Sequence, residues 1–267
     1  MSELKLHGNT TRHLAAPLAG FCLLCASLVP VWAQDFGPMG IEMMPHLRAV
    51  FPKLFVSTPE FSAKAQIGMF DGQGKKQMGA PMNFALGDRH MRTEIDTTGM
   101  SQIPPEARAG MKALQLDTIV FITRVDRKKV YLVFPGVQEY VEYPIAGELM
   151  DEINTRSRDA AFQRTVIGEE TVNGQVCTKI RVVVSEPNRP QEEALLWCAK
   201  NLQDFPLRMA LISKGNVMKF EFREVSLKKP NPALFEVPTN YVQRADSNQI
   251  MKDAVEKKRV RDQAPVK

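Results

Sequence analysis

Cysteine is scarce in this chain: four in 267 residues, alongside two tryptophans, four tyrosines and four histidines. Each shortage excludes something. Cys22 and Cys25 lie in an N-terminal apolar run, which leaves Cys177 and Cys198 for the rest of the chain, too few for a disulfide-dense scaffold. Those two stand far outside a C-x-x-C spacing, which argues against redox chemistry. Past the N-terminal run only His46 and His90 remain, neither in a His-plus-carboxylate spacing that would hold a metal. No G-x-S-x-G, H-E-x-x-H or P-loop occurs. The acidic pairs Asp151-Glu152 and Glu169-Glu170 are adjacent, so their side chains diverge in regular structure and make no acid/base pair. The chain reads as a non-enzyme with no cofactor. The formal charge is +5. Seven Lys/Arg against four Asp/Glu after residue 242 account for +3 of it, so the body is near neutral and lacks the basic face that nucleic-acid binding needs.

The N-terminus is better furnished. Lys5 and Arg12 precede an apolar run from Leu14 to Ala33, ending in Val31-Trp32-Ala33. That reads as a secretory signal over residues 1–33, with an uncleaved anchor as the competing reading. Pro17, Pro30 and the small-residue site favour cleavage. The expected location is the periplasm. Residues 34–57 form an N-terminal segment in which Met39, Met43, Met44, Leu47, Val50, Phe51 and Leu54 recur at helical spacing, predicting a short helix broken near Pro52. Met39, Met43, Met44 and His46 also pose a minor alternative, a periplasmic Cu(I) site of soft thioether ligands.

From residue 58 the period changes. Phe61, Ala63, Ala65, Ile67 and Met69 alternate with polar residues, as do Met78, Ala80, Met82, Phe84 and Leu86, then Met91, Thr93 and Ile95. This is the period of half-buried strands. Pro81 suggests an edge or a bulge in the second. A helix is expected from Pro104 to Leu116 and another from Ala146 to Ala161, with Leu149, Met150 and Ile153 on one side. Strands are expected at Thr118–Arg124, Lys129–Phe134 and Tyr140–Tyr143, then as hairpins at Gln163–Val172, Gln175–Ser185, Glu193–Ala199, Leu207–Ile212 and Val217–Leu227. Asn173-Gly174 is the strongest turn signal among them. The sum is an antiparallel sheet of about ten strands, too many to stay flat. The tail, residues 243–267, is polar and charged: flexible, or a frayed helix. Its Lys257-Lys258-Arg259-Val260-Arg261 cluster is either a solvated surface or a transient contact for anionic lipid. Cys177 and Cys198 flank a turn at residues 186–189, and simple hairpin register sets them opposite each other within disulfide reach. A Cys177–Cys198 disulfide is expected in an oxidising compartment.

The ending is the most distinctive stretch. Phe220 to Val242 is a strand, a proline turn and a Leu-Phe plug: Asn231-Pro232, Ala233-Leu234-Phe235, then Pro238. It resembles the C-terminal signature of the LolA/LolB-like superfamily of periplasmic lipoprotein carriers. FSAKAQIGMF is similar to that family's first strand, and KKQMGAPMNFALGDRHMRTEI to its second and third. GEETVNGQVCTKIRVVV and LLWCAKNLQDFPLRM look closer to an uncharacterised exported branch, a domain of unknown function. The resemblance covers residues 58–242. It implies a mainly β fold, a large curved antiparallel sheet forming a half-open barrel under a helical lid, with an interior that shelters lipid or the acyl chains of lipoproteins. The family's inward-facing arginine has no matched position here; Arg89 and Arg92 are nearest. Within this frame Met69, Met78, Met82, Phe84, Met91 and Phe121 are the candidate cavity lining, since flexible, polarizable methionine suits an adaptable apolar pocket. The competing reading is a filled core, in which case the chain is a structural or interaction protein of the envelope.

Overall fold

The computed structural model describes residues 53–55, 57–88, 90–145, 147, 161–185, 191–213 and 215–263. The expected signal segment, the Met39–His46 cluster, Arg89, the expected helix from Ala146 to Ala161 but for Gly147 and Ala161, and the turn at residues 186–190 lie outside them.

Twelve strands form one sheet. In chain order they are β1 (Phe61–Phe70), β2 (Lys76–Gly87), β3 (His90–Asp96), β4 (Thr118–Arg124), β5 (Lys129–Phe134), β6 (Glu139–Pro144), β7 (Ala161–Val172), β8 (Gln175–Ser185), β9 (Glu192–Ala199), β10 (Phe205–Ser213), β11 (Asn216–Ser226) and β12 (Val242–Arg244). The spatial order is β12-β6-β5-β4-β3-β2-β1-β11-β10-β9-β8-β7. Every pairing is antiparallel except the short parallel β12–β6 ladder. The end strands do not pair with each other, so the sheet curves without closing. The fold is the mainly β half-barrel that the sequence implied.

Local chemistry explains the boundaries. Asn173 and Gly174 both take positive φ (50° and 77°), the type I′ turn that joins β7 to β8. Pro81 departs from the expected edge or bulge. It sits inside β2, paired with Gln66 of β1, and the β2–β3 ladder begins one residue later at Met82↔Ile95, so the proline lies just past the end of that ladder. Helix α1 (Pro105–Ala113) opens on proline with Glu106 in its first turn. Helix α2 (Ser247–Gln263) is the tail, and it is ordered. Asp246 caps it by accepting from the Gln249 N–H at 2.9 Å, while the Gln249 side chain accepts from the Ala245 N–H at 3.3 Å. That resembles a capping box, with the return bond made to the residue before the cap instead of to Asp246 itself.

The expected disulfide does not form: Cys177 and Cys198 are both free and buried. In the observed register Cys177 stands opposite Ala199, and Thr178 opposite Cys198. This is a one-residue slip from simple hairpin symmetry. Because side chains alternate, the slip puts the two thiols on opposite faces of the sheet.

Candidate functional site

Register decides which side chains share a face. Met69 pairs with Met78 and with Met218, Ala65 with Met82 and Phe222, and Ala63 with Phe84. Phe84 pairs with Thr93, Leu86 with Met91, and Met82 with Ile95. Thr93 then meets Phe121, which meets Leu132, which meets Val141. All six candidate residues, Met69, Met78, Met82, Phe84, Met91 and Phe121, therefore lie on one apolar face. In the other direction it continues through Phe220, Met209, Leu196 and Ile180.

Three kinds of cover act on this inner face. Its middle is filled. Phe55, from the turn that precedes β1, stacks within 4.8 Å of Phe61 and 5.6 Å of Phe205, and its ring meets Phe222 edge-on at 5.9 Å. Phe84 joins this group at 5.5 Å from Phe61. A fully buried phenylalanine contributes roughly 1.5–3 kcal/mol from area alone, and aromatic edge contacts add to that. The β4–β6 end is covered by α2, whose Ile250 and Ala254 bury against Leu132, Phe134 and Val141. The rest of the face is less covered: Met69 and Met78 at the β1–β2 turn end, and Met91 and Ile95 on β3, are only half-buried; α1 reaches the same core through Ala107 and Met111. Phe121 is likewise half-buried, whereas Met82 and Phe84 are sealed into the aromatic cluster. Ile95 and Met111 belong with the candidates and were overlooked, although the same alternation and helical spacing carried them.

The inner face carries no charge along β1 to β4; its polar groups there are the hydroxyls of Thr93 and Thr123. Charges go outward and pair there. Arg92 binds Glu94 at 2.7 Å and donates to the Leu234 carbonyl, so it faces away from the interior. The Leu-Phe plug also packs outside: Phe235 buries against Ala85, Val120, Ile122, Tyr131 and Val133. It is clamped by Arg124, nine-tenths buried, which holds Asp126 at 2.7 and 2.9 Å and also binds Glu236. Hydrogen bonds from Arg124 hold the Asp126 carboxyl well below the usual range. Burial pushes Glu236 up, but hydrogen bonds from Arg124 and Arg127 outweigh it and leave the group lowered.

Two concavities lie elsewhere. One of about 410 Å³ runs between α2 and the β5–β6 turn, lined by Gln115, Val137, Lys257 and Arg261. Another of about 280 Å³ sits beneath β7–β9, lined by Leu54, Phe55, Thr58, Arg164, Thr178 and Cys198. Neither takes a wall from the six candidates. Among the described residues no helix is long and apolar enough to cross a membrane.

An open half-barrel whose inner face is apolar and uncharged along β1 to β4 defines the class. A family profile, a domain of unknown function (DUF4412), matches residues 69–206, and the chain belongs to that family. No curated protein matches the sequence. Among solved structures the chain is similar to the Mycobacterium tuberculosis lipoprotein LppX (11% identity, 69% of this chain and 96% of that one, TM-score 0.40). It is also similar to a LolA superfamily protein from Nitrosomonas europaea (10%, 66% and 90%, TM-score 0.31) and to LprF from Mycobacterium bovis (10%, 69% and 95%, TM-score 0.37).

Proposed function

We propose that this chain is an exported, periplasmic protein that holds a hydrophobic ligand, a lipid or the acyl chains of a lipoprotein, against its inner face as a carrier or sensor. The observation that carries the reading is that Met69, Met78, Met91, Ile95 and Phe121, all on one apolar face, stay half-buried outside the aromatic cluster and outside the patch that Ile250 and Ala254 of α2 cover. Each of these side chains gains further from area removed from water when an apolar ligand covers it. Methionine at three of these positions and Met111 beside them suits a surface that repacks around chains of different shape. The N-terminal signal supports the compartment.

The test is partition of a polarity-sensitive fluorescent fatty-acid analogue, comparing the native chain with Met69→Lys and Met91→Lys. Both positions are half-exposed, so the lysine ammonium reaches water and the fold survives. Saturable binding, weakened at least about tenfold by either lysine, is the expected result. Binding that ignores both substitutions places the ligand elsewhere and refutes this site.

A second reading has its own observation. The ring cluster of Phe55, Phe61, Phe84, Phe205 and Phe222 fills the centre of the half-barrel. It favours an interaction protein of the envelope that acts through its outer surface. No probe binding at all selects that reading.

A further inference from the structure

The two edges of the sheet are unlike. One is the three-residue β12; the other is β7, twelve residues long, exposed along almost all of it and paired on one side only among the described strands. At its centre Val166 and Ile167 are 65% and 47% exposed. Long exposed edges of this kind template further pairing unless they are blunted.

β7 carries a single bulge. Val166 pairs with Ile180 and Gly168 with Lys179, leaving Ile167 extra. The consequence follows from the turn. Around a type I′ turn the flanking residues, Val172 and Gln175, exchange both backbone bonds. Counting back along β8, residues opposite Cys177, Lys179, Arg181 and Val183 turn their N–H and C=O groups toward β8. Those opposite Val176, Thr178, Ile180, Val182 and Val184 turn them outward. The outward groups of β7 are therefore those of Thr171, Glu169, Val166, Arg164 and Phe162.

This pattern is symmetric about the bulge. Antiparallel pairing of β7 with β7 of a second copy, with the twofold axis between Val166 and Ile167, sets Arg164 opposite Glu169 and Phe162 opposite Thr171. In a regular strand that register fails, because it sets outward groups against inward ones. The extra residue reverses the alternation at the axis, so every pair on either side of the central Val166–Ile167 contact matches in hydrogen-bonding direction. Arg164 and Glu169 lie opposite Val182 and Thr178 of β8, so their side chains also share one face. At the centre exposed Val166 meets Ile167 of the second copy and Ile167 meets its Val166, and two Arg–Glu pairs flank them. Glu169 holds Lys200 at 2.9 Å and Arg164 donates to the Lys53 carbonyl at 3.0 Å, exposed contacts that each engage one end atom of the side chain.

We infer that β7 is a self-complementary edge and that its partner is a second copy of this chain, joined strand to strand. Sedimentation velocity over a concentration series tests it. The native chain is expected to show a reversible monomer–dimer equilibrium. Arg164→Glu and Glu169→Arg each set like charges opposite one another twice, and each is expected to weaken association about tenfold or more. The double exchange restores opposite charges and is expected to recover the native constant within about threefold. A native chain that stays monomeric, or a dimer indifferent to the single changes, overturns the proposal; so does a folded double exchange that fails to recover. Hydrogen exchange on the unaltered chain gives an independent check. Amides of Phe162, Arg164, Glu169 and Thr171 are expected to gain protection with concentration while those of Gln163 and Thr165 do not. Exchange that is independent of concentration refutes the pairing.

Discussion

The thiol of Cys198 is pushed up to about 12 by burial, and that of Cys177 is also raised by burial. Thiolate is the reactive form, so both are expected to resist iodoacetamide at pH 8 in the folded chain and to alkylate fully once denaturant is added. Intact mass checks this, and a native mass two hydrogens light would contradict it. The same shift sets a pH dependence. Unfolded, the Cys198 thiol titrates at its ordinary 9.0; folded, it keeps its proton to about 12. Its stabilising share is therefore whole below pH 9 and is lost as pH climbs toward 12. Urea melts of Cys198→Ala are expected to decline less steeply across that window than those of the native chain, and equal slopes would contradict the assignment. Arg124 is the other decisive residue, because its planar fork serves Asp126, Glu236 and the Phe235 carbonyl at once. Arg124→Met keeps the buried stem and removes the fork. It is expected to cost about 2 kcal/mol in denaturant unfolding, with Arg124→Lys unable to restore it. A loss under about 0.5 kcal/mol would show that the clamp is dispensable.

At the level of elements, α2 is the cover of the β4–β6 end. Its hold is partly electrostatic: Glu139, fully buried, takes Arg244 at 3.0 Å and Lys257 at 2.6 Å, while Arg244 also reaches Asp253. Burial drives the Glu139 carboxyl up, but the hydrogen bonds from Arg244 and Lys257 prevail and lower it. Ending the chain at Ala245 uncovers Leu132, Phe134 and Val141. The expected result is a lower melting temperature with increased binding of a hydrophobic dye; unchanged dye binding would mean that α2 covers nothing. Most of the strands were legible in the alternation, because each has one buried face. Simple symmetry across the long β8–β9 loop could not yield the cysteine register, since one extra residue there exchanges the faces. Helix α2 is one of the two readings open for the tail: Asp246-x-x-Gln249 followed by Ile250 and Ala254 favours a helix, while the dense charge is equally compatible with a flexible segment. Of the six candidate lining residues, the alternation identified the face of all. It could not tell the half-buried Met69, Met78, Met91 and Phe121 from the buried Met82 and Phe84, since burial depends on groups remote in the chain, such as the Phe222 ring that meets Phe84.

For the whole molecule, the sheet is open, the charged side chains of β1 to β4 point outward, and the aromatic cluster fills one part of the inner face while Met69, Met78, Met91 and Phe121 stay half-buried elsewhere on it. That division makes the account specific: a ligand belongs along Met69, Met78, Met91 and Phe121, beside the filled centre rather than in it. Native mass spectrometry of the chain purified from a periplasm, under gentle and then harsher activation, addresses this most directly. An added mass that leaves as an acyl lipid, and that is absent from Met91→Lys, is the expected result. A bare protein mass from both would contradict ligand binding and leave a filled half-barrel that acts through its surface.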